Sequence, residues 1–130
     1  MPDMKLEVVP LGVSDVDRAK DWYTNKAGFN LDHDVRPAPG IRVIQFTPPG
    51  SACSIVFGDG MGGISELKPG SITGLHLVVK DMDEARNALI DRGVEMGEIM
   101  DMGGIRYSFF SDPDGNGWEL QEWPESYRAK

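Results

Sequence analysis

The chain has 130 residues, 40% of them apolar and 26% charged, with a net charge of −8 and a single cysteine, Cys53. That length ordinarily makes one domain with a real core, and the acidity disfavours nucleic acid and anionic membrane surfaces while leaving room for a neutral or cationic small ligand. An internal disulfide is excluded, no apolar run reaches the roughly 18–20 residues that cross a bilayer, and Met1-Pro2-Asp3-Met4-Lys5 lacks a signal-peptide pattern, so the expected location is the cytoplasm.

Leu6 to Val13 is apolar and partly β-branched and reads as a strand. Asp15 follows as a helix cap, with Asp17 favourable in the first turn. Val16, Ala19, Trp22 and Tyr23 recur at helical spacing, and Gly28 supplies a left-handed stop. Phe29 to Val35 is a second strand, Pro37-Ala38-Pro39-Gly40 a turn, Ile41 to Thr47 a third strand. Pro48-Pro49-Gly50 is another turn, and Ala52 to Phe57 a fourth strand. Within the last run, Cys53 reads as a small core residue and not a nucleophile. His33, in Asp32-His33-Asp34, reads as a surface histidine whose neighbours favour the imidazolium.

The glycine-rich stretch from Gly58 to Ser71 has no period. It reads as a linker or a flap, and it fails as a phosphate cradle because no Gly-Lys-Ser/Thr follows. Ile72 to Val79 is then a strand, and Asp81 caps a helix carrying Met82, Ala85, Ala88 and Leu89 that ends at Arg92-Gly93. Val94 to Met100, Ile105 to Phe110 and Trp118 to Trp123 are three more strands. Asp112-Pro113-Asp114-Gly115-Asn116-Gly117 joins the last two. Its alternate acidic residues imitate a calcium loop, but position 12 would be Trp123 and strands flank it, so it reads as a structural turn.

The two halves repeat one another. Val13-Ser14-Asp15-Val16-Asp17-Arg18-Ala19 is echoed by Val79-Lys80-Asp81-Met82-Asp83-Glu84-Ala85 at an offset of 66 residues. The fold class expected is α+β, with two βαβββ modules. Module one covers about 5–58, the linker about 59–71, module two about 72–123 and a polar tail 124–130. Helices cover one face of each sheet, and the other faces can curl into a half-open cup whose lining alternates along each strand.

The Val-Ser-Asp-Val-Asp-Arg-Ala helix start, Trp22-Tyr23 with Gly28-Phe29, and Ser111-Asp112-Pro113-Asp114-Gly115-Asn116 before a strand containing Glu119-Leu120 resemble the vicinal oxygen chelate superfamily, which includes glyoxalase I, bleomycin-resistance proteins and extradiol dioxygenases. The resemblance covers essentially the whole chain. It implies the cup fold, frequent homodimers, and a divalent metal held by side chains from the first and last strand of each module. Carried onto this chain, those positions are Val8, Val56, Gly74 and Glu119. Three of them offer no donor, and one carboxylate does not hold a divalent ion tightly.

His76 lies two residues beyond Gly74 and shares its face, where it can meet Glu119 and Gln121. His76 and Glu119 are therefore the candidate catalytic pair for proton transfer, or a weak displaced metal site, or a histidine satisfied within the sheet. Gln121, Val8, Val56, Gly74, Phe57, Tyr107 and Trp118 are the candidate ligand-binding residues. Aromatic residues also occur at Phe46, Phe109, Phe110 and Trp123, and the pattern does not fix the parity of Phe109 and Phe110. An aromatic-walled acidic cup suits a flat or cationic organic ligand. Three readings stay open: a small-molecule binder with no cofactor, a metal-independent lyase or isomerase, and a metal-dependent glyoxalase or dioxygenase.

Overall fold

The computed structural model describes residues 1–128, with side chains to residue 126. Two sheets of four strands are present. In module one, β1 (Val8–Pro10), α1 (Val16–Asn25), β2 (Asn30–Ala38), β3 (Ile41–Thr47) and β4 (Ser54–Asp59) give the sheet order β1-β4-β3-β2. In module two, β5 (Leu75–Val78), α2 (Met82–Asp91), β6 (Met100–Met102), β7 (Ile105–Ser111) and β8 (Gly117–Glu122) repeat it as β5-β8-β7-β6. Among the described residues only β1–β4 and β5–β8 pair in parallel, and the helix and two strands between each pair supply the crossover that parallel pairing needs. The fold is the two-module α+β arrangement expected from the repeat. The stretch between the modules holds one 3-10 turn, Gly62–Ile64, and the expected polar tail opens with a helical turn, α3 (Glu125–Arg128). Its last two residues lie outside the described residues.

Both helices start as the duplicated motif dictates. Asp15 accepts from the Arg18 backbone N–H and Asp81 from that of Glu84, each at 3.0 Å. At the far end of α1, Gly28 takes a φ of +72°, a conformation that favours glycine. Arg92, the repeat partner of Lys26, donates from Nε to the Lys26 carbonyl at 3.0 Å and from Nη2 to the Thr24 carbonyl at 3.1 Å. Module two thus satisfies carbonyl groups that the end of α1 leaves without helical partners.

The two modules share one core. Tyr23, Phe46 and Phe57 are fully buried, and Trp118, Phe110 and Leu120 of module two pack into the same cluster. Tyr23 lies 6.1 Å from Trp118 and Trp22 6.3 Å from Phe110, measured between ring centroids. Each such side chain contributes roughly 1.5–3 kcal/mol of burial. A polar lock crosses the same seam. Asn116 Nδ2 donates to the Gly12 carbonyl at 2.9 Å and to Asp112 Oδ2 at 2.8 Å, while Ser14 and Arg18 both donate to Asp114. The Asp112–Gly117 segment is therefore a structural turn, built to hold module one.

One expected strand is corrected. Residues 94–99 are irregular, and the strand begins only at Met100. Gly97 ties this stretch to β7 by donating to the Phe109 carbonyl and accepting from Ser108, which leaves no room for a regular ladder. The strand that does form is the outer arm of a tight hairpin, where Gly103 and Gly104 both take positive φ as a two-residue turn requires.

Candidate functional site

The site is set by which way each strand faces. In sheet one, Ile44, Phe46, Ile55 and Phe57 point to the shared core, so Gln45, Thr47, Ser54 and Val56 lie on the far face. Val8 pairs with Ser54 and Pro10 with Val56 on that same face. In sheet two, Phe110, Trp118 and Leu120 point to the core, so His76, Tyr107, Phe109, Glu119 and Gln121 share the far face. The open parity question is thereby resolved: Phe110 is core and Phe109 is 43% exposed.

Phe57 and Trp118 point to the shared core side of their sheets, although Trp118 also borders a small hollow beside His76. Phe57 is fully buried against Tyr23 and Phe46. Trp118 is 3% exposed, and its Nε1 donates to the Tyr23 hydroxyl at 3.0 Å. The run Cys53-Ser54-Ile55-Val56-Phe57 has no polar alternation that would have marked its inner side.

His76 and Glu119 sit directly across from one another on β5 and β8, with His76 Nε2 and Glu119 Oε1 3.4 Å apart. The other ring nitrogen, Nδ1, is 2.6 Å from the Gly74 carbonyl. A carbonyl only accepts, so Nδ1 is the donor in this contact. Gly74 brings a backbone acceptor to the site in place of a side chain, and its φ of +82° is the glycine-favouring conformation. Gln121 Nε2 donates to the Tyr107 hydroxyl at 3.4 Å. The Tyr107 and Phe109 rings stack 6.3 Å apart at 17°, and the His76 ring meets Tyr107 edge-on. The result is a half-exposed imidazole and a buried carboxylate beside an aromatic wall.

His76 also borders a cleft of about 560 Å³ between the modules, whose walls include Phe29, Pro48, Pro49, Leu77 and Leu120. That volume is in the range of small-molecule sites. A hollow of about 670 Å³ at the start of α2 is lined by Lys80, Asp81 and Glu84 and has none of the far-face groups.

Sheet one carries a polar cluster that the sequence reading missed. Asp32 accepts from Thr47 Oγ1 and from Gln45 Nε2, and Thr47 and Ser54 share a hydroxyl contact of 2.6 Å. The polar pair Gln45 and Thr47 at alternate positions was a usable signal. The irregularity between Leu31 and His33 that brings Asp32 over them was not. His33 is exposed, as expected. Asp34 points the other way, to Arg42 at 3.0 Å and Lys20 at 2.6 Å, and these two cations hold its carboxyl far below the usual carboxylate range.

The four positions at which the resemblance places metal ligands supply one side-chain donor, Glu119. Val8 and Val56 are aliphatic and Gly74 has no side chain. Among the described residues no cluster of three or more His, Cys, Asp or Glu could hold an ion. The donor set does not fit the family's metal.

Paired βαβββ modules with a polar and aromatic patch on the far face of one sheet define the class of this protein. A family model, the Glyoxalase/Bleomycin resistance protein/Dioxygenase superfamily, matches residues 5–120, and the chain belongs to that superfamily. Among solved structures it is similar to TnmS3, an antibiotic binding protein from Streptomyces sp. CB03234, at 33% identity and a TM-score of 0.81, covering 95% of this chain and 99% of that one. It is also similar to a superfamily member from Sphaerobacter thermophilus DSM 20745, at 34% identity, a TM-score of 0.78, and coverage of 92% and 98%. A glyoxalase/bleomycin resistance protein from Streptomyces sp. CB03234 gives 34% identity and a TM-score of 0.73, with coverage of 89% and 98%. No curated protein matches the chain.

Proposed function

We propose that this protein binds a small organic molecule of the antibiotic kind on the far face of sheet two, without turnover and without a bound metal. The observation that carries the reading is the Glu119 carboxylate, 8% exposed, set beside the stack of half-buried Tyr107 and exposed Phe109. The carboxylate, the imidazole beside it and the aromatic rings together offer a small molecule both polar anchoring and a stacking surface. The likeness to an antibiotic binding protein supports the same conclusion.

The test is a thermal-shift screen of antibiotics that includes bleomycin, followed by recovery of each bound compound. A ligand at about 100 times its Kd adds about 2.7 kcal/mol of stability, and the compound returns chemically unchanged. A compound recovered in altered form, with the change abolished by Glu119→Gln, overturns the binding reading. It favours the second one, a metal-independent lyase or isomerase in which His76 and Glu119 move a proton. That alternative rests on their 3.4 Å approach.

We infer further that the protein acts as a cytoplasmic homodimer. Leu31, Val35 and Val78 are exposed apolar side chains, and a second copy would cover part of that surface. No helix among the described residues is long and apolar enough to cross a membrane.

A further inference from the structure

We propose that the cleft beneath the turn at residues 48–51 is a second binding site, for a neutral apolar molecule of small-drug size. It goes beyond the far-face reading, because Ala85 and Leu89 of α2 line it and place it on the helix side of sheet two. At the seam already described, Tyr23, Asp112, Asp114 and Asn116 close the two modules on each other with hydrogen bonds. The repeat gives each of them a counterpart. The helices match at the motif's offset, which sets Leu89 where Tyr23 stands, and the strand registers set Pro48, Ser51 and Cys53 where Asp112, Asp114 and Asn116 stand. Leu89 and Pro48 carry no side-chain donor or acceptor. Ser51 Oγ donates to the Cys53 carbonyl at 2.8 Å and Cys53 Sγ to the Ser54 carbonyl at 3.7 Å, so both turn back into their own hairpin. The polar lock of one seam is thus an apolar gap in the other.

Burial shows the difference. Leu11 and Ala19 of module one are each 1% exposed, whereas Leu77 and Ala85, the same residue types at the matching positions of module two, are only half-buried. Between these two and the turn lies the cleft of about 560 Å³. A hollow of about 140 Å³ beneath the same turn shares Pro48 and Leu77 with it and reaches Ile55 and Leu75. Among the described residues no Lys, Arg, Asp or Glu lines either space. A charged ligand would shed its hydration there and meet no partner charge. A neutral apolar one completes the burial that Leu77 and Ala85 lack, and the volume is that of a small-molecule site.

The experiment titrates the full chain with N-phenylnaphthylamine, a neutral fluorophore that brightens in apolar surroundings, and with anilinonaphthalene sulfonate, the same rings carrying a negative charge. The neutral probe binds saturably and at least about tenfold more tightly than the sulfonate. Ala85→Phe on α2 and Pro49→Phe on the turn narrow the cleft from opposite walls, and each weakens the neutral probe at least about tenfold. Pro49 is exposed, so its replacement keeps the fold, which the midpoint of urea unfolding checks. Absence of saturable binding by the neutral probe, equal or tighter binding of the sulfonate, or full affinity in either variant overturns the inference. So does binding that Phe109→Ala abolishes, because the probe then sits on the far face. An antibiotic that binds in the screen and is weakened by Phe109→Ala keeps the far-face reading whatever the probe does, and a probe held in the cleft keeps this one whatever the screen finds.

Discussion

The Tyr23 hydroxyl donates to Asp112 Oδ2 at 2.8 Å and accepts from Trp118 Nε1 at 3.0 Å, so one phenol on the first helix closes a buried circuit with the last turn and last strand. Neither partner is near it in sequence. The circuit spares a buried aspartate and a buried indole the cost of lacking partners.

Tyr23→Phe removes the donor to Asp112 and the acceptor of Trp118 together while leaving the ring packing intact. The expected loss is about 1–3 kcal/mol of stability, read from the midpoint of urea unfolding with the slope unchanged. A loss below a few tenths of a kcal/mol would show that water replaces the hydroxyl.

The same phenol gives an alkaline limit. Burial, and then the Asp112 charge, push its ionisation well above the ordinary tyrosine value of 10.0. The folded state holds the proton that the unfolded chain releases. This contribution is whole below about pH 10 and declines as pH rises beyond it. Urea unfolding between pH 9 and 11 (a range of about two units around the ordinary value) should show a decline that Tyr23→Phe flattens.

Asp34 gives the acid limit. Its hydrogen bonds to Arg42, and then to Lys20, depress its ionisation far below 3.8. The folded state resists a proton that the unfolded chain accepts, so stability is present above about pH 4 and falls as pH drops below it. Asp34→Asn should remove that acid-dependent part. At neutral pH it costs about 1.5–3 kcal/mol, because Arg42 is 8% exposed and keeps only Asp17 as a charged partner.

Gly12 lies where the modules touch. A Cβ there would stand 2.4 Å from the Lys68 carbonyl oxygen, which is backbone and cannot swing away. Gly12→Ala should destabilise by about 1–3 kcal/mol in thermal unfolding, whereas Gly63→Ala, which meets nothing within 4 Å, should stay within about half a kcal/mol of the native chain.

Much of this architecture was legible in the residues. The aspartate caps, the glycine stop after α1 and the Ile41–Thr47 strand emerge where local chemistry demands them. The far-face placement of His76 and Glu119 follows from alternation alone. What escaped was decided by contacts distant in sequence. Phe57 read equally well as core or as lining, because β4 is buried along most of its length and lacks polar alternation, whereas in β8 the alternation of Trp118 and Leu120 with Glu119 and Gln121 already set Trp118 on the face opposite Glu119. The 94–99 stretch meets β7 through contacts at Gly97 with the Phe109 carbonyl and the Ser108 side chain in place of a regular ladder. The Asp32 cluster depends on a one-residue irregularity in β2 that no period reveals.

The seam between the halves has a consequence for the connector that joins them. Ring packing, the Asn116–Gly12 bond and the grip of Arg92 on the end of α1 fasten one half to the other independently of the peptide link through residues 60–66. Severing that link should yield two fragments that find each other and rebuild the whole. Neither fragment should keep its shape alone, and the chain could be supplied in two pieces as a reporter of their reunion.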